Sequence, residues 1–200
     1  MRGLEDSVLV QGAGGLWQQA TTAKFLDAIS DGTLPKEAFN RWLVQDYHFA
    51  DGLTVFQALA VAKAPRQFRR PLVAGLNALE AELEWFEAQA RVRGLDLGAP
   101  MNEVCRRYTN FLVRVAYSEP VPVLLATLFG VEASYLAAWS SLEPAGPYAE
   151  FIARWSNAGF QEYVKSLRVL TESNLHAENQ RHFNEVLVHE RDFWRMTWEG

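Results

Sequence analysis

Three acidic residues lie on aromatic or apolar helical faces, where a solvated carboxylate is not expected. Asp46 stands four residues after Trp42 and three before Phe49, and Glu190 stands three and four residues before an aromatic pair. Glu132 is the only charged residue before Glu143 in the most apolar helical segment of the chain. Burying an unpaired carboxylate is costly, so each acid must either bond another helix or line a pocket. The repetition on three separate segments favours a shared pocket, with Glu132 as the strongest functional candidate.

A pocket of this composition suits a flat, nitrogen-rich ligand that is cationic or amidine-like. Aromatic side chains stack on flat rings, and carboxylates accept hydrogen bonds from ring N–H and amino groups. Glu82 is a further candidate, because it flanks the apolar stripe of its helix beside Trp85 and Phe86. The neighbouring acids at positions 80, 84 and 87 share the opposite face and are expected in solvent.

The segments that must position these acids are all helical in pattern. Apolar residues recur at spacings of three and four, and no segment shows the period-two alternation of a strand. The sequence therefore predicts an all-α bundle of seven or eight helices in a single domain, 1–200, with a glycine-rich, poorly ordered lead-in over 1–15. The helices are predicted at 17–29, 35–63, 65–93, 101–118, 122–141, a short one ending near 155, 160–172 and 176–198.

Composition narrows the function classes. The chain has 200 residues, 49% of them hydrophobic, seven tryptophans and a net charge of −5. Scattered basic residues and a negative charge argue against a nucleic-acid partner. No apolar run is expected to span a membrane, and the N-terminal residues do not show the pattern of a signal peptide. The single Cys105 suits a reducing compartment, so a cytoplasmic location is expected. The excess of tryptophan and phenylalanine favours self-association.

Three other kinds of site are weaker predictions. His182, Glu185 and His189 have helical spacing suited to a metal, but bundle metal sites use Glu-x-x-His pairs from two helices, and the inner helices offer no second pair. We therefore expect no metal. Cys105 has no basic neighbour in sequence and is interpreted as a core thiol. The glycines at 12–15 are not followed by a strand–helix unit, so they do not predict a dinucleotide loop.

Several of these residues belong to short motifs whose combination and order are similar to those of the TenA/thiaminase-II family, from about Trp17 to Met196. The motifs are Trp42-Leu43-Val44-Gln45-Asp46-Tyr47, Glu82-Leu83-Glu84-Trp85-Phe86, Gly130-Val131-Glu132-Ala133-Ser134-Tyr135, Arg154-Trp155-Ser156-Asn157 and Glu190-Arg191-Asp192-Phe193-Trp194. The resemblance implies a haem-oxygenase-like helical bundle without haem, no organic cofactor, and a homodimer or homotetramer.

The resemblance also implies roles for individual residues. The active-site cysteine of the better-known branch is replaced by Val131, and the adjacent Glu132 resembles the branch called E-type, so the thiaminase reaction itself is not expected. Asp46, Glu190 and Glu132 correspond to catalytic acids. Substrate contacts are expected from Phe49, Tyr108, Tyr135, Glu82 and Trp42. The tyrosine that many members carry soon after the position of Trp155 has no clear counterpart.

The function that this resemblance implies is hydrolysis in thiamin-pyrimidine salvage. The substrate would be 4-amino-5-aminomethyl-2-methylpyrimidine or its N-formyl derivative, and the product the hydroxymethyl compound. Two alternatives stay open: a non-catalytic aminopyrimidine-binding protein, and a metal-dependent oxygenase built on the same bundle.

Overall fold

The computed structural model describes residues 3–200, which form ten α-helices and no strand. They are α1 (Val8–Ala13), α2 (Gly15–Thr21), α3 (Lys24–Ser30), α4 (Lys36–Lys63), α5 (Arg66–Arg93), α6 (Glu103–Ser118), α7 (Val121–Ser140), α8 (Ala149–Ser156), α9 (Ala158–Glu172) and α10 (Asn179–Glu199). The predicted all-α class is confirmed. The helix count exceeds the expected seven or eight because the N-terminal segment contains three short helices.

The N-terminal segment differs most from its prediction. Residues 8–13 form α1 rather than part of a poorly ordered lead-in, and Leu9 and Val10 are buried against the bundle. The backbone N–H of Val8 donates to Glu172 Oε1 over 3.2 Å, which provides a partner at the start of the helix. The predicted helix over 17–29 is divided at Thr22 and Ala23, both of which have extended backbone. The first two residues of the predicted lead-in lie outside the described range.

Helix boundaries follow from local chemistry. Pro35, Pro65 and Pro120 stand immediately before α4, α5 and α7, where a missing N–H costs nothing. Asn102 is the N-cap of α6, and its Oδ1 accepts a hydrogen bond from the backbone N–H of Val104 over 2.8 Å. Gly94 ends α5 in the left-handed region, at φ 65°, which glycine adopts without steric cost.

Helix α7 is the centre of the bundle. It packs against α10 and α9 most extensively and also contacts α2, α4, α6 and α8. By length and composition it could cross a membrane, contrary to the expectation from the sequence, but 78% of that apolar window is buried inside the protein. A helix that is apolar nearly all round is typical of a domain core. Its one acid, Glu132, is therefore surrounded by other helices.

Candidate active site

A cavity of about 490 Å³ opens between α4, α5, α7, α8 and α9. Its volume lies within the range of small-molecule sites. The walls are mainly apolar, and the acids that line it are Asp46, Glu82 and Glu132, one each from α4, α5 and α7. The aromatic side chains in the wall are Phe49, Tyr135, Trp155, Phe160 and Tyr163. Of the three acids predicted to share a pocket, Asp46 and Glu132 line this cavity, and Glu82 rather than Glu190 is the third.

Asp46 is held by a tyrosine from the central helix. The hydroxyl of Tyr135 donates to Asp46 Oδ2 over 2.6 Å, and the aspartate is only 4% exposed. Burial raises the pKa of Asp46 well above its ordinary value; the Tyr135 hydrogen bond opposes that rise, and the nearby Glu82 and Glu190 add to it. The remaining carboxylate oxygen is available to accept a hydrogen bond from a ligand in the cavity.

Glu132 faces the same cavity without a protein partner. The residue is buried, with only 8% of its surface exposed. Among residues 3–200 no side chain or backbone group forms a hydrogen bond with its carboxyl group. Burial raises its pKa to about 8, and the negative charges of Glu82 and Glu190 contribute further. A buried acid without a structural bond, titrating near neutral pH, has the properties required of a general acid or base.

Glu82 points inward, as expected for a candidate site residue. Its Oε1 accepts a hydrogen bond from the indole Nε1 of Trp155 over 3.0 Å. Burial raises the pKa of Glu82 to about 7, while the positive charge of Arg154 and the Trp155 hydrogen bond hold it down. The Arg154 guanidinium lies 4.3 Å from the ring centroid of Trp85, a cation–π contact that fixes it at this end of the cavity.

Glu190 is buried and bonded to Tyr108 rather than lining the cavity. The hydroxyl of Tyr108 donates to Glu190 Oε1 over 2.6 Å, and neither residue lines the cavity. Phe49, which does line it, places its ring centroid 4.6 Å from that of Tyr108. Burial raises the pKa of Glu190 to about 8 despite the Tyr108 hydrogen bond. The charge of Glu190 adds to the raised pKa values of Asp46 and Glu132. Tyr108 does not line the cavity, and its predicted substrate contact stays a prediction.

Comparison with known proteins identifies the family. A model of the TENA/THI-4/PQQC family matches residues 11–200. The chain belongs to this family. It is 25% identical to a "Probable bifunctional TENA-E protein" of Glycine max, over 91% of this chain and 88% of that protein.

Solved structures agree with the assignment. A TenA homologue from Pyrococcus furiosus superimposes with a TM-score of 0.90 at 31% identity, covering 95% of this chain and 98% of the other. A domain with a heme oxygenase-like fold from Shewanella denitrificans gives a TM-score of 0.74 at 13% identity over 96% and 90% of the two chains, which shows the fold alone. The haem-oxygenase-like fold predicted from the motifs is confirmed.

Within this TENA/THI-4/PQQC member, Trp42 lies in the core and does not line the cavity, so the substrate contact expected from the sequence stays a prediction. It is fully buried, and its ring centroid lies 5.2 Å from that of Phe39, 5.3 Å from that of Trp139 and 5.6 Å from that of Trp155. Its indole N–H has no hydrogen-bond partner within residues 3–200. Trp42 therefore supports Trp155 from behind, and only Trp155 reaches the cavity.

Two wall residues of this family member were not assigned from the sequence. Arg154 belongs to one of the family motifs but has no predicted role. Tyr163 lines the cavity, although the sequence indicated no clear counterpart of the tyrosine that many members carry soon after the position of Trp155. Tyr163 lies eight residues after Trp155, in the second turn of α9. Its hydroxyl accepts a hydrogen bond from Gln57 Nε2 over 3.0 Å, a contact between helices that no sequence spacing indicates.

Other candidate sites take structural roles here. Cys105 is buried, its thiol donates to the backbone of Gln45, and burial raises its pKa to about 12, far from a reactive thiolate. His182 Nδ1 donates to the backbone carbonyl of Glu178 over 3.1 Å, whereas His189 stacks on Tyr108 at 4.9 Å. Within residues 3–200 no group of three or more His, Cys, Asp or Glu side chains is arranged to hold a metal ion.

Proposed function

We propose that this chain hydrolyses a thiamin-related aminopyrimidine and releases the amine from the ring's methylene substituent. The observation that carries the proposal is Glu132, a cavity acid without a protein partner whose pKa lies near 8, next to Val131 in the same wall. Family membership and the TENA-E name of the Glycine max relative support the same substrate class.

Ring binding is assigned to the pair formed by Asp46 and Tyr135. An aminopyrimidine presents N–H donors on one edge, and a carboxylate already oriented by a tyrosine can accept from them. Phe49 and Trp155 offer aromatic faces on which a flat ring can stack. These contacts would hold the methylene carbon still while its bond to nitrogen breaks.

The chemical step needs a proton on the leaving nitrogen and a water at the methylene carbon. The water oxygen bonds to that carbon, the carbon–nitrogen bond breaks, and the nitrogen leaves as ammonia with one proton gained. The 4-amino group of the ring donates electrons and stabilises positive charge at the methylene. We assign Glu132, in its ionised form, to accept the water's proton, and Glu82, in its protonated form and with its pKa about 7, to give a proton to the leaving nitrogen.

Glu190, which the family resemblance makes a catalytic acid, is a second candidate for that proton. It is bonded to Tyr108 and is not among the residues that line the cavity. Its role as a general acid stays a prediction. In the structure described here it acts on the site through its charge, which contributes to the raised pKa of Glu132.

The test is turnover of defined substrates by the purified protein. Aminomethyl-, formylaminomethyl- and hydroxymethyl-pyrimidine, together with thiamin, are incubated separately with the protein and the products are read by mass. Conversion of the aminomethyl compound to the hydroxymethyl compound is expected, and thiamin should stay intact because Val131 supplies no nucleophile. Tight binding of the aminopyrimidine without any product would support a non-catalytic binding protein. Oxygen uptake that requires added iron would support a metal-dependent oxygenase.

A further inference from the structure

The end of the cavity between α5 and α9 carries a hydroxyl held in place by two other residues. Gln57 Nε2 donates to the Tyr163 hydroxyl over 3.0 Å and to the backbone carbonyl of Leu72 over 2.8 Å. Gln57 is fully buried. Gly75 makes the arrangement possible, because a Cβ at that position would collide with both the Tyr163 hydroxyl and the Gln57 amide nitrogen.

The direction of these hydrogen bonds leaves the Tyr163 proton free. The Leu72 carbonyl only accepts, so the amide of Gln57 must present its nitrogen to Leu72 and to Tyr163. The hydroxyl of Tyr163 therefore accepts from Gln57, and its own O–H can donate elsewhere. Among residues 3–200 no acceptor is bonded to it, and Tyr163 lines the cavity. The O–H is thus a fixed donor available to a ligand.

A free amine does not use such a donor well. The protonated aminomethyl group of a pyrimidine only donates hydrogen bonds. The carboxyl groups of Glu82 and Glu132, which line the cavity, can accept those hydrogen bonds, so this group needs no further donor. A carbonyl oxygen on the leaving nitrogen is an acceptor and matches Tyr163. We propose that Tyr163, held by Gln57 over Gly75, is a specificity-determining residue that recognises an acyl group on the leaving nitrogen of the substrate. This inference rests on the proposed function.

The reaction at this position is hydrolysis of an N-acyl substrate. The water oxygen bonds to the acyl carbon, the carbonyl oxygen becomes an oxyanion that accepts from the Tyr163 O–H, and the acyl carbon–nitrogen bond then breaks. The carboxylic acid leaves with the water oxygen, and the amine nitrogen takes the proton that Glu132 removed from the water. Glu132 and Tyr163 both line the cavity; burial raises the pKa of the Tyr163 phenol, and the charge of Glu132 adds to that rise.

The experiment compares two substrates across matched variants. Tyr163→Phe removes the hydroxyl and keeps the ring, and Gly75→Ala displaces the hydroxyl without changing its chemistry. Gly15→Ala is the control, because Gly15 is an exposed helical glycine with no atom within 4 Å of an added Cβ. Values of kcat and KM are measured for the formylaminomethyl and aminomethyl pyrimidines, and circular dichroism checks that each variant is folded.

Tyr163→Phe should lower kcat/KM for the formylaminomethyl substrate about 10²-fold, as expected for loss of one oxyanion donor. The loss on the aminomethyl substrate should stay below about tenfold, the most that one neutral hydrogen bond contributes. Gly75→Ala should show the same selectivity; if it does not fold, Tyr163→Phe decides alone.

Equal losses on both substrates would overturn the inference, as would an unchanged rate on the formylaminomethyl substrate. So would a wild-type protein that hydrolyses only the aminomethyl compound, which leaves the proposed function intact. A wild-type protein that acts on neither substrate overturns the proposed function itself.

Discussion

Replacing Glu132 by glutamine separates catalysis from stability in a single variant. The amide has nearly the same size as the carboxyl group, and the wild-type carboxyl bonds no group among residues 3–200, so the replacement removes no protein hydrogen bond. It does remove the ability to accept a proton. Turnover of the aminomethyl pyrimidine should fall by about 10²–10⁴-fold, the usual contribution of a general acid–base group.

The same variant should be more stable than the wild type at high pH. The pKa of Glu132 is raised from 4.5 to about 8 in the folded protein. The folded protein therefore binds more protons than the unfolded chain between these values, and wild-type stability falls as the pH rises through that window. At about 1.4 kcal/mol per pH unit, the ceiling at pH 8 is roughly 4 kcal/mol, reduced where cavity water solvates the carboxylate. Glutamine does not titrate, so the unfolding free energy of the Glu132→Gln variant does not fall for this reason.

The assay is urea unfolding of both proteins at pH 5 and pH 8, together with turnover measured by product mass. The gain in unfolding free energy of Glu132→Gln over wild type should be small at pH 5 and clearly larger at pH 8. Glu87→Gln is the control, because Glu87 is an exposed acid on α5. A gain that does not change with pH would refute the buried, raised-pKa account of Glu132. Near-normal turnover in the folded variant would reduce Glu132 to a structural acid.

Three further substitutions test the assignments of neighbouring residues. Asp46→Asn keeps an acceptor for Tyr135 but removes the charge, which weakens the charge-assisted hydrogen bond to the aminopyrimidine. KM for the aminopyrimidine should therefore rise about tenfold, with a smaller change in kcat. Trp42→Phe should lower the unfolding free energy by about 1–3 kcal/mol in urea titration, with KM unchanged, because Trp42 belongs to the core. Arg41→Met removes the guanidinium that bonds three backbone carbonyls at the end of α10. It should cost about 1–3 kcal/mol of thermal or urea stability and leave kcat unchanged.

The sequence allows the prediction that the acids converge on one site, but it does not show which of them line the cavity. An isolated acid on an apolar helical face has few alternatives to a shared polar site, so Asp46 and Glu132 were recognisable from periodicity alone. Which acids line the cavity depends on the rotation of each helix about its axis, which residue spacing does not fix. Glu82 lines the cavity, whereas Glu190 is bonded to Tyr108 and is not among the lining residues.

Aromatic residues were harder to place than acids. Trp42 and Trp155 stand in similar aromatic motifs, but one is fully buried and the other lines the cavity. Apolar residues recur at the same helical spacing whether their side chains pack in the core or line a cavity. Tyr163 was missed for a different reason, because its position depends on the close approach of α9 to Gly75 on α5.

The N-terminal helices were missed because tertiary contacts stabilise them. A six-residue helix such as α1 has little stability of its own. Here its apolar face is buried against α10, and Glu172 on α9 accepts from its first N–H. Neither contact is local in sequence. The glycines that follow α1 gave a true signal of a break, since Gly14 has a positive φ of 55° between α1 and α2.

The tryptophan cluster behind the cavity gives the protein an intrinsic optical reporter. Trp155 lines the cavity, and its ring centroid lies 5.5 Å from that of Trp85 and 5.1 Å from that of Trp139. Excitation energy passes readily between indoles this close, so the emission of the group depends on the environment of its most accessible member. A pyrimidine that stacks on Trp155 should therefore quench the fluorescence of several tryptophans together. Ligand occupancy can be followed in the unlabelled protein, on a timescale faster than any turnover assay.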